Sequence, residues 1–334
     1  MATATLPQLP AAKAASAAPV DVESLMRVPL AALTQPSSAP VDIFMSTPDA
    51  PPKLLWQRDA KRDDGQLAEM RRQRGQYAFW IQRNDVGRVT NAVQEHWFEL
   101  AALPSLPPCD GLALLSLAFS LELNATVRLV RCQPFVAAAR RVGDAAVTLF
   151  ARGPIDSRDL FEMAASVSGF GFRALNVAVY TLQIARLSGV DPAALGEIAV
   201  GAMVHDVGAR NLFVDAWANP GRWSAEEREL VERHPQHGFE YLLPLNFSRG
   251  QLMMAYQHYE RVDGTGYPVG VLAEEIHAWA KMLAIADRFE ALTSSRSYRR
   301  GMSLPEALVQ LEQDAGDHLD REMTQCWIHS LQSS

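Results

Sequence analysis

His205-Asp206-Val207-Gly208, His234-Pro235, Gln257-His258-Tyr259-Glu260, Asp263-Gly264-Thr265-Gly266-Tyr267-Pro268 and Ala286-Asp287-Arg288-Phe289-Glu290-Ala291-Leu292-Thr293-Ser294 follow one another between residues 205 and 294. Five of the eight histidines of this 334-residue chain fall between 205 and 277. Imidazole is the commonest protein ligand for metals, and carboxylate is the other usual one. Each of these polar groups ends or interrupts an apolar repeat of helical spacing. Leu195, Ile198, Ala199, Ala202 and Met203 lead to His205-Asp206; Leu230 and Val231 lead to His234; Leu252, Met253 and Tyr256 lead to His258; and Ala280, Leu283 and Ala284 precede Asp287. Side chains three and four residues apart share a helix face, so four helices each turn a polar residue toward the core. A buried carboxylate without a partner costs several kcal/mol, and two aspartates with three histidines converging there need a common compensation. One or two metal ions supply it. His237 and His277 need no such partner and read as ordinary residues of the bundle.

The flanking sequence supplies the helix boundaries. Asp191-Pro192 reads as an N-cap followed by Pro at the first helical position. Ser224-Ala225-Glu226-Glu227 is a capping box, and Ser303-Leu304-Pro305-Glu306 caps a final helix that buries Ala307, Leu308 and Leu311. Ser157 to Ser188 is apolar on more than one side and reads as one long core helix, with Gly169 and Gly171 as kink points. Residues 151–334 are therefore expected to form an all-α bundle.

Upstream, residues 20–150 read as a small α/β module. Val41–Met45, Lys53–Trp56 and Tyr77–Ile81 are short, aromatic or β-branched and bounded by Pro, Asp and Gly, as strands are. Helices are expected over Gly65–Arg72, Arg88–Leu100 and Gly111–Arg141, with Pro104, Pro107 and Pro108 as breakers, and Gly143-Asp144 and Gly153-Pro154 mark the module's end. No catalytic constellation stands out there, which suits a sensor, regulatory or dimerisation module, with a small-ligand pocket as the other reading. Residues 1–19 are rich in Ala and Pro and lack an apolar stretch, so they read as a disordered tail and not as a signal peptide.

Composition narrows the partners. A net charge of −7 argues against a nucleic-acid polymer, and 48% apolar with 21% charged residues is the balance of a globular chain. Leu112–Leu121, the longest apolar run, is broken by Ser116 and Ser120 and is about half of a membrane span. Cys109, Cys132 and Cys326 are odd in number and widely spaced, which fits a reducing cytoplasm.

The series HDxG, HP, HxE, DGxGYP and ADxFxALTSxRxYR resembles the HD-GYP family, a branch of the HD phosphohydrolases linked to cyclic di-GMP. The resemblance covers about 155 to 320, and the DGTGYP and ADRFEALTSSRSYR stretches are its most specific parts. It implies that Asp206 bridges two metals, iron or manganese, with His205 and Asp287 on the first and His234 and His258 on the second. In active members a bridging hydroxide attacks the phosphodiester, which makes Asp206 the catalytic ligand. Arg296 and Arg299 match positions that contact phosphate, and Tyr267 lies in the signature loop, where it can stack on a base or meet a partner.

Departures from the family pattern are equally informative. Gly169 and Arg173 stand where the family places a ligating Glu and His, Tyr259 replaces a second His, and Ala209 replaces a Lys. Arg173 would direct a positive charge toward the first metal position, repelling a cation or replacing it. Two function classes follow. One is a cyclic-di-GMP binding module with weak or lost hydrolysis, sensing the nucleotide or docking a diguanylate cyclase through Gly266-Tyr267-Pro268; the other is an active metal-dependent phosphodiesterase. An HD phosphohydrolase acting on another phosphoester is a further alternative, and a homodimer is compatible with all three.

Overall fold

The computed structural model describes residues 24–28, 30, 41–47, 50–61, 65–66, 69–70, 77–89, 106–127, 129, 131–165, 170–211, 224–294 and 300–333. The tail expected over 1–19 lies outside them, as does most of the helix expected over Arg88–Leu100. The N-terminal part is a four-stranded antiparallel sheet in the order β1-β4-β2-β3, with β1 at Leu25–Val28, β2 at Ile43–Thr47, β3 at Ala50–Trp56 and β4 at Ala78–Gln82. Phe79 and Ile81 alternate inward along β4, the period of two that a half-buried strand requires. Pro51 and Pro52 are tolerated because β3 is an edge strand. The sequence reading missed β1, the opposite edge, since Arg27 interrupts its four residues.

Helices make up the rest. They are α1 (Pro108–Val127), α2 (Gln133–Ala151), α3 (Ser157–Ala165), α4 (Phe170–Leu187), α5 (Leu195–Val204), α6 (Ala225–Glu232), α7 (His234–Leu242), α8 (Arg249–Gln257), α9 (Ala278–Thr293), α10 (Leu304–Asp314) and α11 (Arg321–Gln332). Gly111–Arg141 is two helices instead of one: α1 ends at Val127, and Pro134, whose ring suits the first helical turn, opens α2. Of Ser157–Ser188, α3 and α4 are described, and residues 166–169 between them lie outside the described residues. A last helix, α11, follows the one expected to close the bundle; Asp320 caps it by accepting from the N–H of Met323.

Nearly every residue of α5 is buried, because α2, α4 and α8 all pack on it. Gly143 lies inside α2 and breaks nothing: a Cβ there would come within 2.8 Å of Val200 Cγ2, so the glycine lets α2 approach α5. Consequently α1 and α2, assigned from sequence to the N-terminal module, pack on α4 and α5 of the bundle. Trp327 of α11 is fully buried against Tyr180 of α4 and Phe289 of α9, with ring centroids 5.7 and 5.5 Å away. The apolar core is one cluster, running from Val28 and Ile43 of the sheet to Leu331 of α11. No described helix is long and apolar enough to cross a membrane.

Candidate functional site

His205 follows the last residue of α5, His234 follows α6 across Arg233, and His258 follows the last residue of α8. Helix C-termini leave carbonyls without intrahelical partners, and all three rings use one. Nδ1 lies 2.6 Å from the carbonyl of Ala202 in His205, 2.5 Å from that of Val231 in His234 and 3.0 Å from that of Ala255 in His258. A carbonyl only accepts, so each Nδ1 carries the proton and each Nε2 is presented to the centre. His205, His234 and His258 are buried to 1, 0 and 4% exposure, so water cannot satisfy those nitrogens.

The Nε2 atoms of His234 and His258 lie 3.2 Å apart, and Asp206 Oδ1 is 3.4 and 3.5 Å from them. Three acceptor atoms face one another across a buried gap. Asp206 Oδ1 makes no hydrogen bond, nor does His205 Nε2. Gly208 keeps this corner closed: a Cβ on it would collide with the carbonyl of His234 and the backbone nitrogen of Gly238.

The other side of Asp206 is occupied. Arg173, on α4, donates from Nη1 to Asp206 Oδ2 at 3.1 Å and from Nη2 to Asp287 Oδ1 at 2.7 Å, while its Nε lies 3.3 Å from Glu290 Oε2. His205 Nε2 is 3.4 and 3.6 Å from those same two aspartate oxygens. Charges this close override burial. Burial opposes ionisation of Asp206 and Asp287, yet His205 and Arg173 hold the first well below the usual carboxylate range, and Arg173 with His205 holds the second down to about 2. Burial also disfavours protonated His205, but Asp206 and Asp287 hold it up to about 10. His258 goes the other way, down to about 4, through burial and the charges of His205 and His234.

Glu260 ties this centre to the loop after it. Its carboxylate accepts from the N–H groups of Val269 at 2.8 Å, Gly270 at 3.0 and 3.2 Å and Val271 at 3.2 Å. Tyr267, preceding a cis proline, stacks on Tyr259 with centroids 4.9 Å apart and planes within 9°. Tyr259 in turn packs against His258 and His234 at 4.6 and 5.3 Å. The signature loop thus reaches the metal-ligand candidates through one aromatic stack.

The family profile of the HD domain matches residues 130–323. The chain belongs to the HD-domain family. Within it the chain is a member of the HD-GYP branch that the motifs of residues 205–294 mark. Over 160 residues the HD-GYP chain is 32% identical to a cyclic di-GMP phosphodiesterase of Pseudomonas aeruginosa, a match spanning 47% of this chain and 38% of the relative. It is 34% identical over 125 residues to a cyclic di-GMP phosphodiesterase response regulator of Xanthomonas campestris, covering 37 and 33% of the two chains. A 3′3′-cGAMP-specific phosphodiesterase of Vibrio cholerae is 33% identical over 146 residues, covering 44 and 32%. The chain therefore matches about a third of the length of these relatives. An HDG"Y"P protein from Bdellovibrio bacteriovorus shares the fold over 92% of this chain and 99% of its own, with a TM-score of 0.61 at 16% identity.

HD domains imply a divalent metal, and the residues present fit one better than two. His234 Nε2, His258 Nε2 and Asp206 Oδ1 lie 3.2, 3.4 and 3.5 Å from one another, near enough for all three to hold one ion. His205, Asp206 and His258 also offer ligand atoms within 4.8 Å of one another, a looser set. Of the residues expected from sequence, His205, Asp206, His234, His258 and Asp287 are brought together, and Tyr267 joins them through Tyr259. Arg296 and Arg299 lie outside the described residues, as does Gly169. Ala209 sits in the 3₁₀ turn Val207–Asn211 and brings no charge. The sequence reading assigned no role to Glu260 or Glu290. Glu290 had a signal, standing three residues after Asp287 and so on the same helix face.

Proposed function

We propose that this HD-GYP domain is a signalling module that binds metal and a cyclic dinucleotide, or a protein partner, with weak or lost hydrolysis. The observation that carries the reading is Arg173, whose guanidinium takes the Asp206 and Asp287 oxygens that a first metal would need. Cyclic di-GMP is the proposed ligand because the names of the relatives give it, or 3′3′-cGAMP, as substrate. When bound, a divalent ion supplies positive charge against a phosphoryl group, and iron and manganese are the proposed ions. His234, His258 and Asp206 would hold it. Arg296 and Arg299 are the proposed phosphate contacts, for which a guanidinium's fork of donors is suited. Tyr267 offers a ring face for a base, and the Gly266–Pro268 loop offers a docking surface for a diguanylate cyclase.

Convergence of His205, Asp206, His234, His258 and Asp287 favours a second reading, an active phosphodiesterase in which Asp206 serves the hydrolytic centre. The two are separated by measuring affinity and turnover of cyclic di-GMP with added Mn²⁺ or Fe²⁺. The wild type is expected to bind the nucleotide and turn it over slowly or not at all. Arg173→His with Gly169→Glu and Ala209→Lys is expected to raise turnover roughly tenfold or more, equivalent to about 1.4 kcal/mol or more of the barrier, with little change in affinity. Measurable turnover in the wild type as fast as in the repaired variant would install the enzyme reading instead.

A further inference from the structure

Arg173, Asp206, Asp287 and Glu290 form a compact charged group within the buried centre. The guanidinium uses its three nitrogens on three different carboxylates, at 3.1, 2.7 and 3.3 Å. Asp287 and Glu290 are 7 and 3% exposed, so neither is neutralised by solvent. Ser294 donates to the remaining oxygen of Glu290 at 2.6 Å, which fixes that carboxylate on its helix. The arrangement resembles a coordination shell closed around a planar cation.

We infer that Arg173, held by Glu290 as a third carboxylate, is a built-in replacement for one of the two metal ions, so that the centre takes a single divalent cation at His234, His258 and Asp206. This rests on the reading above only in taking the centre as metal-binding. Charge balance supports the count. Three carboxylates less the guanidinium leave two negative charges, or one where Asp206 and Asp287 keep His205 protonated, so one divalent ion balances the site to within a single charge. A second ion would leave two or three uncompensated positive charges in a buried site, the situation that costs most. Atom usage supports it independently. Arg173 bonds Oδ2 of Asp206 and Oδ1 of Asp287, whereas Asp206 Oδ1 and His205 Nε2 are buried without a hydrogen bond. Asp206 therefore divides its two oxygens between a permanent organic cation and an exchangeable inorganic one.

The test is metal stoichiometry with a stability readout on the full chain. Protein loaded with Mn²⁺ and desalted is expected to carry one ion per chain, and His258→Ala none. Arg173→Ala is expected to carry two, whereas Arg173→Lys, which keeps the charge, carries one. Under chelation the wild type is expected to keep a cooperative melt. Arg173→Ala should melt at lower temperature and regain the difference when Mn²⁺ is added. A variant that folds only with Mn²⁺ present is the same result in stronger form. Should Arg173→Ala fail to fold even then, Arg173→Gln takes its place and must bind two ions. Two ions in the wild type, or one ion in both wild type and the neutral variant, overturns the inference. No ion in either, with no effect of His258→Ala, overturns the metal-centre reading beneath it.

Discussion

Glu260 lies two residues after His258, on the far side of Tyr259, and its two oxygens take the N–H groups of Val269, Gly270 and Val271. Hydrogen bonds to an ionised acceptor are each worth about 1.5–3 kcal/mol, so this carboxylate largely decides where the signature loop stands. Glu260→Gln keeps the shape but loses the charge and one acceptor. Its expected effects are a loss of about 1–3 kcal/mol in stability and faster amide exchange at Val269, Gly270 and Val271, with metal content unchanged. Exchange at those amides equal to wild type would show that the loop is positioned by something else. The five candidate ligands were legible because each closes an apolar stripe, so its burial could be inferred without a structure. Glu260 was not, since its partners are backbone N–H groups of the loop that follows, and Glu290, though on the helix face of Asp287, meets an arginine on another helix. Spacing does not record such contacts. Arg173 was legible only as a departure from a family pattern, and its three carboxylates needed coordinates.

Helix starts were read better than helix interruptions. The capping boxes at Ser224 and Ser303 are present as expected, and a third closes on Ser248. Caps are local, and so is their sequence signal. His277, taken as an ordinary residue, proves to be the cap of α9: its Nδ1 accepts from the N–H of Trp279 at 3.2 Å, and its own N–H bonds Gln257 Oε1 at 2.9 Å. Burial, then the charge of Arg249, lowers its pKa from 6.5. Protonated Nδ1 cannot accept, and a positive charge at a helix N-terminus is unfavourable. Because the folded pKa lies below the unfolded one, the unfolded chain takes up the proton first as pH falls. The cap's contribution is therefore intact above about 6.5 and lost as pH drops through that value toward the lowered one. His277→Asn, an acceptor that does not titrate in this range, is the comparison. Melting temperatures of the two proteins should converge, or the variant overtake, between pH 7 and pH 5; parallel curves across that range would remove His277 from the cap.

At the scale of the molecule, the question is where the chain divides. Breaker residues at Gly143-Asp144 and Gly153-Pro154 placed the boundary near residue 150, and a two-part chain remains the proposal. From the packing of α1 and α2 we propose that the cut lies at the start of α1. Phe135, Val136, Val142, Leu149 and Phe150 of α2 are buried, as are Leu112, Leu114, Leu115 and Leu117 of α1. Of these, α1 covers α4, which carries Arg173, and α2 covers α5, whose C-cap is His205. Fully burying one such side chain is worth about 1.5–3 kcal/mol, so even a few of them match the roughly 5–15 kcal/mol by which a domain is stable. A fragment beginning at Leu106 is thus expected to melt cooperatively and to bind Mn²⁺ as the full chain does. One beginning at Pro154 leaves the outer faces of α4 and α5 bare, and is expected to aggregate or to lack a cooperative melt, and to lose the metal because α5 no longer has a fixed position for His205 and Asp206. Soluble expression, thermal melts and metal content of the two fragments decide it. A fragment from Pro154 that melts and binds metal like the full chain would return the boundary to the breaker residues and make α1 and α2 part of the N-terminal module.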